Sequence, residues 1–239
     1  MPQLSDGEVQ RAFAGPVVEI YNRWNALQEF QRRVLFEQAI RAPAPMCGVP
    51  MPALSWGTQG GWFDYSQWRL TVDLRATTLD PHTNPIRAWL YFGTMPYHEM
   101  RHCEQFFLMA QAMLSGAVTI PAGPRGRGVK TTRTVDDVIA LGYPRRIVEN
   151  ADRVKGQFAQ GDIAMVRAWV DSIFGRGSRA RGQTLNHLGR GGKHFNPYIH
   201  LPEEADAWRV EREVSRMIRQ MIGAQAMDGA LGGLGALFG

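Results

Sequence analysis

The sequence predicts an α+β, mainly helical domain with a small sheet ahead of its central helix. Three observations carry that reading. Apolar residues recur at three- and four-residue spacing through most of the chain, and one segment alternates with period two. Hydrophobic residues make up 44% of the chain and charged residues 21%, the balance of a globular domain rather than of a disordered or collagen-like chain.

In 6–42, Val9, Phe13, Val17, Ile20, Trp24, Leu27, Phe30, Val34 and Leu35 keep the helical period, with Pro16 expected to split two helices. A Pro/Gly-rich loop is expected from 42 to 61. Within 62–74, Trp68, Leu70, Val72 and Leu74 alternate with Arg69, Thr71 and Asp73 as in a strand. Residues 86–92 fit either a second short strand or the first turns of a helix, so the strand region is bounded at 62–92. Pro96 sits where a helix would begin, and 97–115 is the strongest helical stretch, stopped by Gly116. Further helices are expected near 134–142, 145–158, 162–174 and 202–222, with loose basic segments at 121–133 and 175–197. The whole of 1–222 reads as one domain, followed by a flexible Gly/Ala/Leu tail at 223–239.

The 239 residues suffice for one large core. No apolar run reaches the roughly eighteen residues of a bilayer span, and the opening MPQLSDGEVQ lacks the basic-then-apolar pattern of a secretory signal. The expectation is therefore a chain that is cytoplasmic when made, with export or packaging by a dedicated machine left open. Two cysteines, Cys47 and Cys103, make neither a disulfide framework nor a four-cysteine metal site. Any metal has to rest on histidine and carboxylate.

Such a set exists. His98, Glu99 and His102 match H-E-x-x-H. Side chains four apart on a helix lie one turn above each other, so two imidazoles can bind one zinc ion. Glu99 projects about 100° round the helix from His98, where it can take a proton from water at the metal and hand it to a leaving amine. With six histidines and eleven glutamates in the chain, the pattern is expected by chance about 0.007 times. Met100, Cys103, Phe107, Ala110 and Leu114 form one apolar stripe on this helix, and Met109, Ala112 and Met113 extend the other side. A helix apolar nearly all round belongs in the interior, where buried histidines need polar partners. The competing structural reading is a hydrogen-bonded histidine pair with Arg101 and Glu104 in a local ion-pair network.

Residues 98–105, H-E-M-R-H-C-E-Q, resemble the zincin-like metallopeptidase domain associated with bacterial extracellular contractile injection systems. A second stretch, Tyr198-Ile199-His200-Leu201-Pro202-Glu203-Glu204-Ala205-Asp206-Ala207-Trp208, is similar to a Y-x-x-L-P-x-E-x-D-A-[WY] segment of such proteins. The resemblance covers about 62–115 and 135–215. It implies a zincin-like fold, one zinc ion, a peptide or protein substrate, and a role as effector cargo, toxin or accessory protein of an injection-system particle. In zincin-type peptidases a strand ahead of the H-E-x-x-H helix holds extended substrate, which assigns that task to the strand at 68–74.

A catalytic zinc takes three protein ligands and keeps one position open. Downstream candidates for the third ligand are His187, His194, His200, Glu203, Glu204 and Asp206. Pro202 at a helix start puts Glu203 and Glu204 in the first turn, where carboxylates also serve the helix dipole, and only one of the two is expected to face inward. The position of Glu204 recurs in the resembled segment, so Glu204 is the choice, with His200 as runner-up. Asp206 is expected to orient a ligand histidine through its second ring nitrogen. Tyr198, Arg101 and His194 are candidates for stabilising an oxyanion. Tyr97 flanks the site, and Cys103 reads as a core residue.

Two other functions compete: a non-catalytic structural or packaged protein of a phage-tail-like particle, and a basic nucleic-acid-binding protein. The formal net charge of +5 is modest. The arginines of 125–133 and 176–193 have few aromatics near them, so nucleic acid is disfavoured.

Overall fold

The computed structural model describes residues 2–120, 134–188 and 195–235, with the backbone alone at 160, 187–188, 195–196 and 224–235. Helix α1 (Gly7–Asn22) runs unbroken through Pro16. The missing N–H removes one helical hydrogen bond, but Val9, Phe13, Val17 and Ile20 are buried along one side and hold the segment straight onto the core. The chain turns instead between Arg23 and Gln28, and α2 (Glu29–Arg41) begins where Gln31 Oε1 accepts the Gln28 N–H at 2.8 Å.

The stretch expected as loop contains α3 (Pro43–Met46) and a strand, β1 (Ala53–Gly57). The single strand expected over 62–74 is two, β2 (Trp62–Asp64) and β3 (Arg69–Asp73). Asp64 causes the break: its Oδ1 accepts from Ser66 N at 2.9 Å, Ser66 Oγ at 2.7 Å and Gln67 N at 3.2 Å, which closes a turn. Trp68 leaves that turn with φ 52°. It is buried and donates from Nε1 to Pro50 O at 2.7 Å, which anchors the strained residue. β1 pairs parallel to β3 from Ala53↔Arg69 to Gly57↔Asp73, and β2 pairs antiparallel from Trp62↔Thr71 to Asp64↔Arg69. The order β1-β3-β2 makes β3 the central strand and β2 an edge.

After the short α4 (Arg75–Thr78), α5 runs from Ile86 to Leu114. It starts well before the expected 97, absorbing 86–92 and carrying Pro96 inside it. Every residue from Gly93 to Leu114 is buried, because α5 packs against α7 (Arg145–Val154), α8 (Ile163–Ile173), α11 (Pro202–Gly235) and strands β2 and β3. Burying a Met, Leu or Phe side chain stabilises by about 1.5–3 kcal/mol. Several such residues on α5 outweigh the roughly 3 kcal/mol that an internal proline costs.

Between these elements lie α6 (Val135–Ile139), capped by Thr134 Oγ1 accepting Asp137 N at 3.2 Å, and two helices in the stretch expected to be loose, α9 (Ser178–Leu188) and α10 (Phe195–Ile199). The last helix was expected to end near Ile222, yet its backbone stays helical to Gly235. Ala, Gln, Met and Leu between the glycines are good helix formers. The loop expected at 121–133, Arg190, Lys193 and the tail residues 236–239 lie outside the described residues. Among the described residues no helix is long and apolar enough to cross a membrane.

Asp73 ties the end of β3 to the approach to β2. Its Oδ2 accepts from Gly60 N at 2.8 Å and from Arg75 Nη2 at 2.6 Å, and its Oδ1 accepts from Arg75 N at 2.8 Å. Burial pushes this carboxyl up, but the bonds and charge of Arg75 and the Gly60 N–H outweigh it, and the group sits below its ordinary value. The stabilisation is therefore complete above the ordinary carboxylate range and is lost as pH falls through the depressed value. Asp73→Asn is expected to cost about 1–3 kcal/mol at pH 7 in urea unfolding, with the gap from the parent closing under acid conditions.

Candidate metal centre

Two helices build the centre. On α5, His98 and His102 stack one turn apart with both Nε2 atoms on the same side, 3.2 Å from each other. Pro202 opens α11 and puts Glu204 in its first turn, facing them. Glu204 Oε2 lies 3.5 Å from His98 Nε2 and 3.4 Å from His102 Nε2. All three residues are buried, and their donor atoms converge closely enough to hold one metal ion. Glu204 Oε2 is shielded from solvent and, among the described residues, lacks a hydrogen bond of good geometry. A buried carboxylate oxygen facing two imidazole nitrogens at 3.4 and 3.5 Å needs positive charge beside it, either a proton on His102 or a metal ion between the three groups.

The histidine tautomer follows from the residues behind it. Gln105 Nε2 donates to Glu203 O at 2.8 Å and to Asp206 Oδ2 at 2.9 Å. Both are acceptors, so the other end of the amide, Oε1, is the atom 2.8 Å from His102 Nδ1. Nδ1 therefore keeps a proton in either charge state, and Nε2 is the nitrogen that can offer a lone pair to a metal once its own proton is lost. Asp206 was expected to hold a ligand histidine directly. It acts one residue further back, through Gln105, because its Oδ2 also takes Arg101 Nε at 2.7 Å. His98 is held differently: the Trp208 ring packs 4.6 Å from it, and its buried Nδ1 has no hydrogen-bond partner among the described residues.

Charge inside the centre is uneven. Burial pushes His98 down to about 4. Burial also disfavours charge on His102, but Glu204 and Glu99, together with Gln105, hold it up at about 9. Burial would raise Glu204, but the His102 charge and contacts from His98 and Tyr198 keep it well below the usual carboxylate range. Glu99 is pushed up to about 7 by burial, with His102 opposing and Glu204 adding to the shift.

A cavity of about 610 Å³ opens on one side of the centre, lined by Glu99, His102 and Glu204 together with Phe63, Tyr65 and Phe174. Glu99 reaches it beside β2 and accepts the Phe63 N–H. A side chain at Gly61 would come within 3.2 Å of Met95 Cγ and Thr71 O, so glycine there lets the strand lie against α5. The exposed strand edge on this cavity belongs to β2. The segment 68–74, expected to fill that role, is mostly β3, which is paired on both sides. Alternation singled out the longer, more buried strand and missed the three-residue edge.

Other expected residues are placed as follows. Tyr198 lines the cavity and hydrogen-bonds to Glu204. Arg101 does not face it: fully buried, it pairs with Glu104 and Asp206. Glu104 in turn accepts the Leu4 N–H at 3.0 Å. The competing ion-pair network of Arg101 and Glu104 thus exists, alongside the histidine cluster rather than in place of it. Glu203 and Glu204 are both buried, against the expectation of one, because Arg181 from α9 takes Glu203 Oε1 at 2.6 Å. Arg181 also lines the cavity, and no motif marked it. His200 is exposed and stands outside the cluster. Tyr97 is buried and donates to Leu4 O at 2.7 Å, and Cys103 is a core residue. His194 lies outside the described residues, and only the backbone of His187 is described.

Compared with known protein families, curated proteins and solved structures, the chain matches none of them.

Gln105→Met removes the atoms that orient His102 while keeping the volume. It is expected to weaken metal binding about 10- to 100-fold in a chelator competition assay, with helical circular dichroism unchanged.

Proposed function

We propose that the protein is a zinc-dependent hydrolase, and that its substrate is a peptide or protein. The observation that carries this reading is the triangle of donor atoms. A tetrahedral ion bonded at about 2.0–2.1 Å holds its ligand atoms about 3.3–3.4 Å apart. The three edges here are 3.2, 3.4 and 3.5 Å. Octahedral magnesium at a similar bond length would need neighbouring oxygens about 2.8–3.0 Å apart and favours an all-oxygen shell. Two imidazoles and one carboxylate form a donor set used by catalytic zinc sites, whose fourth position stays open. That position would face the cavity.

Zinc, when bound, supplies a Lewis acid that acidifies water and polarises a carbonyl oxygen. The remaining work falls to the chain's own groups. Glu99 stands at the cavity with its carboxyl near neutrality, suited to accepting a proton and returning it to a leaving amine. The Phe63 N–H fixes that carboxylate. Tyr198 is kept protonated by burial and the Glu204 charge, and its one O–H donates to Glu204, so it steadies that carboxylate rather than serving an oxyanion. Glu99 occupies the Phe63 N–H, so an extended chain would pair with the other main-chain groups of the β2 edge. Phe63, Tyr65 and Phe174 offer an apolar surface for side chains beside the scissile bond.

Metal analysis of the purified protein is expected to give about one zinc per chain, and His98→Ala or Glu204→Ala should abolish retention. Glu99→Gln is expected to keep the zinc while slowing hydrolysis of a peptide library about 100- to 10,000-fold. A Glu99→Gln protein as active as the parent would remove Glu99 from the chemistry and the hydrolase reading with it.

A further inference from the structure

The same two helices that meet at the metal centre part further along and form a second cleft, of about 360 Å³. Arg87 of α5 and Arg212, Arg216 and Arg219 of α11 surround it, with Tyr91 as one wall and Glu211 among its lining. Residues 212, 216 and 219 are spaced four and three apart, so their guanidiniums rise on one face of α11 over two turns. All four arginines are exposed.

None of them is held in a direct ion pair among the described residues. Glu213 pairs with Arg209 at 2.9 Å and accepts from Gln10 at 3.1 Å. Glu211 is buried and accepts from the Thr94 hydroxyl at 2.5 Å, and its single charge, felt by Arg212 and Arg219, offsets only part of the four positive ones. Among the described residues none of the four arginines has a carboxylate within ion-pair distance, whereas Arg209, one turn earlier on α11, has two. Four like charges around one concavity repel each other, and a multivalent anion relieves that repulsion. Guanidinium forks match phosphate oxygens two at a time. The volume is that of a small-molecule site, and the half-exposed Tyr91 ring, 47% accessible, offers a face for stacking.

We propose that the cleft between α5 and α11 binds a small, multiply phosphorylated anion held by Arg87, Arg212, Arg216 and Arg219. The cleft shares no residue with the metal centre, and the proposal stands independently of the hydrolase reading.

Calorimetric titration of the full chain with inorganic pyrophosphate, with ATP and with vesicles containing phosphatidic acid, at about 0.15 M salt, tests it. Saturable one-to-one binding of pyrophosphate or ATP is expected, weakened at least tenfold by Arg212→Ala or Arg216→Ala and unchanged by Arg69→Ala, an exposed arginine outside the cleft. If ATP binds more tightly than pyrophosphate, and Tyr91→Ala removes the difference, the ligand is a nucleotide. Equal affinities point to the phosphate chain alone. No saturable binding of either soluble anion, binding to vesicles only, or equal binding by the Arg212 and Arg216 variants would overturn the proposal.

Discussion

The burial of the middle of α5 is the constraint on which the rest depends. From Gly93 to Leu114 every residue of that helix is buried, yet it carries His98, Glu99, Arg101, His102, Glu104 and Gln105 within two turns. Each of those polar groups has to be satisfied inside the protein. Their partners come from the first turns of α11, from the chain ahead of α1 and from β2. The positions of α11 and of the edge strand relative to α5 are thereby set by polar matching as much as by apolar packing.

Arg101 shows how this works. A guanidinium at 0% exposure is tolerable because Glu104 and Asp206 flank it. Asp206 then has an oxygen positioned to receive Gln105, and Gln105 has only one way to face His102. A structural ion pair thus decides which imidazole nitrogen carries a proton. Breaking a buried pair of this kind leaves an uncompensated charge and typically costs about 3–5 kcal/mol, which gives the network its rigidity. The two imidazoles are therefore held by different means, His102 by this polar chain and His98 by the Trp208 ring, its outer nitrogen making no hydrogen bond among the described residues.

Much of the centre was legible in the sequence. His98 and His102 announce themselves by spacing, whereas the helix-opening Pro202 marks Glu203 and Glu204 together without choosing between them. The role of Gln105 had a readable signal too, since a residue three positions after His102 lies over the same helix face. Arg181 had none: it reaches the cavity from α9, in a stretch whose glycines and charges read as loop. In the same way β2 was hidden, because three residues are too few for alternation to register, while Asp64 ended the strand by a side-chain turn that hydrophobic pattern cannot reveal.

Local chemistry therefore determined that this chain has a buried helix carrying a two-histidine pair with a glutamate beside it, a mostly helical body, and a short sheet ahead of the helix. These follow from period and from nearest-neighbour geometry along one element. Tertiary structure alone decided which carboxylate converges on the imidazoles, which strand is left with a free edge, and that Arg101 turns inward to Asp206 rather than toward the cavity. Those outcomes depend on where separate elements meet, and the energies that settle them, burial and pairing of charge, exist only once the elements have come together.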